Sequence, residues 1–197
     1  MSEYIKIRKG LNIRLGGEAG RVFSDIPKSE LFAIKPTDFK GLRPKLLVKP
    51  GDEVKAGSPL FCNKDNDKIL FTSPVSGEVV EINRGEKRKI LEIKILADKD
   101  IIYEPFKKAN PSDLSRENII EYLLKSGIWP LIRQRPFAEI ANPNENPKSI
   151  FISAFDSNPL APDNDFIIHG HGEAFQPGLD ALSKLTKWNV DLNIYAD

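Results

Sequence analysis

His169 and His171 stand two residues apart in HGHGE, with Glu173 just beyond. Imidazoles at that spacing, in a strand or a glycine-loosened loop, can face one metal ion together. No third histidine or cysteine lies close by, and a loop leading into a helix is the simpler reading. These are the chain's only histidines, so a histidine general base would have to sit here too. No Gly-x-Ser-x-Gly elbow accompanies them. Asp156, Asp163 and Asp165 in FDSNPLAPDND could offer oxygens to a hard cation, but Asp and Asn beside proline equally build turns. No catalytic, cofactor-binding or metal-binding residue is therefore expected in this chain. A partner surface is expected at Arg133 and Arg135, flanked by Trp129 and Phe137, because arginine and aromatics are enriched at interface hot spots. The competing arrangement buries Trp129 and Phe137 and pairs the arginines with Glu139. Lys68, in the polar run NKDNDK, is an amine placed where acylation could reach it.

Bulk composition narrows the function classes. The chain has 197 residues, net charge +1, 40% hydrophobic and 29% charged residues. That suits one large domain or two small ones with a buried core. Nucleic acid is not an expected partner, since a clustered basic excess is missing. The densest basic run, Arg84 and Lys87 to Lys89, is interleaved with Glu81, Glu86 and Glu92 and reads as a solvated turn. The single cysteine, Cys62, excludes an internal disulfide and reads as a small buried hydrophobe. The charged N-terminus lacks a signal-peptide core. No apolar run approaches the roughly 20 residues that span a bilayer. A soluble, cytoplasmic chain without a membrane span is expected.

Two textures divide the sequence near residue 104. Before it, short alternating apolar runs predict an all-β unit, beginning with Ile5, Ile7, Leu11, Ile13 and Leu15. Gly51, Gly57 and Gly77 suit turns needing positive φ. LLVKPGDEVKAGSPLF is weakly echoed in SPVSGEVVEINRGEKRKI. After it, YEPFKKANPSDLS reads as a linker. Ser115 then caps a short helix with Ile119, Ile120, Leu123 and Leu124 on one face and Gly127 at its C′ position. Residues 149–155 predict a buried strand, 173–187 a helix that starts near or bends at Pro177, and VDLNIYA a second strand. Strand–helix–strand order implies a parallel α/β unit. A parallel sheet that stops on a strand looks unfinished, which suggests a fragment of a longer protein.

The first half resembles the biotinyl/lipoyl barrel-sandwich hybrid domains through VKPGDEVKAGSPLF, residues 48–61, and SPVSGEVVEI, residues 73–82. In carrier members a Met-Lys-Met-like tip bears the modified lysine. Here no methionine flanks Lys68, and it lies about two residues too close to Pro74. Asn66 and Asp67 are expected to form the hairpin turn, with Lys68 a solvated neighbour.

The whole chain resembles the NqrA family, the A-type subunits of the bacterial sodium-translocating NADH:quinone oxidoreductases. The specific stretches are NRGEKR, SGIWPLIRQRPF and FDSNPLAPD. The resemblance implies an α+β multi-domain chain: a barrel-sandwich hybrid at 1–104, then part of a Rossmann-like α/β domain at 105–197, its C-terminal portion missing. It implies a peripheral subunit on the cytoplasmic side of the inner membrane, structural or quinone-associated and inactive alone. Its partners would be the other subunits, the B-type membrane subunit foremost, with quinone as a further ligand. NADH, FAD, FMN, iron–sulfur centres and ubiquinone would belong to the complex and no cofactor to this chain. The C-type subunits of Rnf complexes share this architecture but bind flavin and nicotinamide through a glycine-rich loop after the first helix. Here that place reads SGIWPLIRQRPF, with one glycine, and a single cysteine cannot ligate a four-cysteine cluster.

Overall fold

The computed structural model describes residues 16, 17 and 20–194. The strands expected at Ile5 to Leu15 lie outside them, as do the last two residues of VDLNIYA.

Among the described residues seven strands build the first unit: β1 (Leu31–Ile34), β2 (Pro44–Leu46), β3 (Glu53–Val54), β4 (Pro59–Asn63), β5 (Asn66–Thr72), β6 (Gly77–Arg84) and β7 (Ile90–Ala97). They form two antiparallel sheets, ordered β1-β7-β6-β3 and β2-β4-β5. Alternation along β7 sends Ile93 and Ile95 inward, while Leu96 faces out. On β4 the consecutive Leu60, Phe61 and Cys62 are all buried, so both faces of that strand are covered. Phe61 stacks on Phe71 at 4.5 Å, and Phe39 meets Phe71 edge-on at 4.7 Å. The two segments that echo each other in sequence lie side by side: Glu53 pairs with Glu78 and Val54 with Gly77, antiparallel. Gly77 holds φ at +146°, and a Cβ there would lie 1.9 Å from the Leu96 carbonyl oxygen.

The β6–β7 hairpin ends in a turn with positive φ at two bulky residues, Lys87 (52°) and Arg88 (61°). The Lys89 amide donates to Glu86 O at 3.1 Å across it. Primed turns of this kind favour Asn-Gly, because side chains crowd the backbone at positive φ. Below the tip the hairpin is laced by ions. Lys94 Nζ donates to Glu81 at 2.7 Å and lies 3.4 Å from Glu92, which accepts from Asn83 at 2.6 Å.

Residues 102–104 clip back onto the first unit. The Ala56 amide donates to Ile102 O, the Glu104 amide to Ala56 O, and the Ile102 amide to Ser76 Oγ. The second unit begins with α1 (Arg116–Lys125). Ser115 Oγ accepts from the Asn118 amide, capping the helix as expected. Gly127 follows the C-cap at φ +73°, and Ile119 and Leu124 are buried. After it come a β8 (Arg133–Gln134) and β9 (Glu139–Ile140) hairpin, β10 (Ile150–Ser153), α2 (Asn164–Ile168), α3 (Gly172–Ser183) and β11 (Val190–Asn193). β10 and β11 pair in parallel, as the strand–helix–strand order required. Pro177 lies inside α3 rather than at its start. The expected burial of β10 does not hold: Ile150 and Ile152 are half-buried, but Phe151 is 70% exposed. Among the described residues only one face of this two-stranded sheet is covered. The two units share one apolar cluster, in which Ile119, Leu124 and Trp129 join Phe71, Leu60 and Ile93.

Candidate partner-binding face

A break in helix propensity creates the site. After Gly127, Pro130 ends any helical continuation, and residues 129–131 make a single 3-10 turn. Trp129 is 4% exposed and donates its indole N–H to Ala141 O at 2.7 Å. The Ala141 amide returns a bond to Ile132 O at 2.9 Å, and the Asn142 amide donates to Gln134 Oε1 at 3.0 Å. These bonds hold the β8–β9 hairpin against the body of the protein. The turn between its strands contains a cis Arg135–Pro136 peptide and Ala138 at φ +56°.

The arrangement corrects one of the four expected contact residues. Trp129 is a buried strut, because its indole finds both an apolar bed and a carbonyl partner inside. Phe137 stays outside at 65% exposure, as do Arg133 and Arg135. Leu131, not singled out from sequence, joins them at 73%. The alternative in which the arginines pair with Glu139 is not realised: among the described residues neither makes an ion pair. The Glu139 side chain instead lies beside Gly41, and Lys40 Nζ donates to Phe137 O at 3.1 Å. The result is a fixed hairpin that presents two unpaired guanidinium groups between two apolar side chains.

The other sequence candidates scatter. His169 and His171 are exposed, and no group of three metal-ligating side chains occurs among the described residues. Asp156 accepts from Asn158, within its own turn. Asp163 caps α2 and pairs with Arg21 at 2.8 Å. These are the turn and cap duties expected of Asp beside proline. Cys62 is buried among apolar residues. Lys68 is exposed on β5, but the expected Asn66–Asp67 turn is displaced: Lys64 and Asp65 form the turn, and Asn66 begins β5. Asn66 pairs with Asn63 across the hairpin, and its Oδ1 accepts from the Lys68 amide at 3.2 Å in an Asx-type contact. Lys68 is therefore on a strand flank and not at the tip. The loop after α1, where Rnf-type proteins cradle phosphate, is filled by the buried side chains of Trp129 and Pro130.

Two family models match in tandem. The NqrA N-terminal barrel-sandwich hybrid domain matches residues 5–98, and the NqrA second alpha/beta domain matches residues 114–197. The chain belongs to the NqrA family. The A-type subunit of the Na(+)-translocating NADH-quinone reductase of Photorhabdus laumondii is 40% identical over 188 residues, 94% of this chain and 42% of that protein. Its counterpart in Vibrio vulnificus is 39% identical over 188 residues, again 94% and 42%. That of Tolumonas auensis is 41% identical over 189 residues, with the same shares. This NqrA-family chain thus spans 42% of the length of these relatives. Its fold is the expected one, a barrel-sandwich hybrid followed by an α/β domain. Among the described residues no helix is long and apolar enough to cross a membrane.

Proposed function

We propose that this chain acts within a peripheral subunit of a Na+-translocating NADH:quinone oxidoreductase. In that complex NADH oxidation and quinone reduction drive Na+ export. The observation that carries this reading is the identity of about 40% that runs through both domains to proteins of that name. The exposed β8–β9 hairpin supports a role as a docking module. The β8–β9 hairpin offers Leu131, Arg133, Arg135 and Phe137 to a partner, held in place by buried Trp129. Arginines without a local carboxylate, set between apolar side chains, are suited to bind carboxylates or carbonyls on another subunit. We assign the division between the units to residues 104 and 105, where the clip onto Ala56 ends. The protein sits on the cytoplasmic side of the inner membrane against the membrane-embedded subunits, the B-type subunit foremost. NADH, flavins, iron–sulfur centres and ubiquinone then belong to the complex, and quinone is the one of them that this protein would touch. The matches lend no support to an Rnf C-like flavoprotein or to a biotinyl or lipoyl carrier.

The experiment is affinity purification of the tagged full-length protein from gently solubilised native membranes. Multi-span subunits and an NADH dehydrogenase should co-purify. Arg133→Glu/Arg135→Glu should lose them, by at least tenfold in yield, while melting at the wild-type temperature. Recovery of the wild-type protein alone would refute the assignment.

A further inference from the structure

The tip of the β6–β7 hairpin is built against its own backbone preferences. Lys87 and Arg88 hold the two positive-φ positions of a primed turn, where Asn-Gly would sit without strain. Strained residues persist where function or surrounding structure requires them. A register shift between Asn83 and Arg84 re-aims the strand just before the turn. Arg84 Nη1 donates to Arg88 O at 3.3 Å, bracing the turn from the strand below.

The structure also sorts the charges that the sequence interleaves. Glu81 and Glu92 are engaged by Lys94 and Asn83 lower on the hairpin. Only Glu86 remains at the tip beside Arg84, Lys87, Arg88 and Lys89. All four cations are exposed, and among the described residues none makes an ion pair. The turn is solvated, as expected from the sequence, and its positive charge is concentrated at the tip. Leu91 adds an apolar element: it is 41% exposed and packs over Gly85 at the base of the turn.

We propose that this tip anchors the protein to an anionic phospholipid surface. Long cationic side chains reach phosphate headgroups while an adjacent leucine meets the acyl boundary, the pairing that interfacial segments use. An acidic protein patch could match both the charge and Leu91, and binding to protein-free vesicles separates the two occupants. The proposal rests on the functional reading above only in that it requires a bilayer within reach.

The test is sedimentation of the protein with phosphatidylcholine vesicles that contain or lack phosphatidylglycerol. Binding should require phosphatidylglycerol and fall as salt shortens the Debye length from about 30 Å to about 10 Å. Lys87→Asn/Arg88→Gly removes two charges and relaxes the turn. It should weaken binding about 25-fold, about fivefold per charge, while raising the melting temperature. Lys89→Gln leaves the turn conformation intact and should weaken binding about fivefold. It carries the test if the double variant fails to fold. Equal binding to neutral vesicles, or unchanged binding by the variants, overturns the proposal. So does unchanged vesicle binding by the Lys87→Asn/Arg88→Gly variant together with loss of its co-purifying subunits, which would identify a protein occupant of the tip. Vesicle binding without co-purification would instead count against the pump assignment alone.

Discussion

Gly127 backs directly onto Thr72: a Cβ at Gly127 would lie 2.4 Å from Thr72 Oγ1 and 2.8 Å from its Cγ2. The contact joins the end of α1 to β5, and Thr72 Oγ1 also donates to Ser126 O at 3.4 Å. Gly127→Ala is expected to cost about 1 kcal/mol for the positive φ and a further ~1–3 kcal/mol for overpacking. Thr72→Ala should return much of the second part and none of the first. Urea unfolding of the two single variants and the double one reads the coupling directly.

Gly77 meets backbone rather than a side chain, so no neighbouring substitution can make room. Gly77→Ala should exceed the ~4 kcal/mol that marks exceptional point variants. The expected result is a chain that fails to show cooperative thermal unfolding by near-ultraviolet circular dichroism.

Trp129→Phe keeps most of the apolar bed but leaves Ala141 O without its indole donor. A loss of about 1–3 kcal/mol is expected in urea denaturation, the cost of one buried unpaired group. Trp188, 70% exposed, is the other tryptophan. In Trp188→Phe the remaining emission should be blue-shifted and report unfolding of the hairpin region alone.

The Glu92 carboxyl is held below the usual carboxylate range by the Asn83 amide and then by Lys94, against partial desolvation. A depressed value means stability that is present above the ordinary carboxylate pKa and lost as pH falls through the folded one. Asn83→Ala should raise the Glu92 midpoint in an NMR titration and shallow the acid-side decline of stability. The Lys94 ammonium is held above its ordinary value by Glu81 first and Glu92 second. Its contribution is complete below the ordinary lysine pKa and disappears as pH rises through the folded value.

Local signals made several of these elements readable. Ser115 and Gly127 marked the two ends of α1, since a cap and a left-handed stop are one-residue devices. Period-2 runs marked the inward faces of β6 and β7. What escaped depends on distant partners. Trp129 looks like a surface aromatic until Ala141 O is placed beside it. The Lys64–Asp65 turn lies two residues from its expected place because Asn63 pairs with Asn66 across the hairpin, a register that local composition does not reveal. The five-residue α2 is too short for periodicity and hides among Asn, Asp and Pro. Glu81 and Glu92 could be assigned to Lys94 only after the β6–β7 register was known.

Leu31 on β1 lies against Leu96 on β7, so the edge of the four-stranded sheet closes only with the last strand of the first unit. On a ribosome, β1 emerges well before β7 and cannot make this pairing until residue 97 is free. That is a long-range pairing, slow to form and exposed to misassembly in the interval. The second unit meets the opposite situation. By the time Gly127 appears, Thr72 and the strands around it have already been made, and α1 can settle on a finished template. Synthesis thus proceeds from a slow closure to a fast addition, and a chaperone that shields the nascent chain would matter most before residue 97.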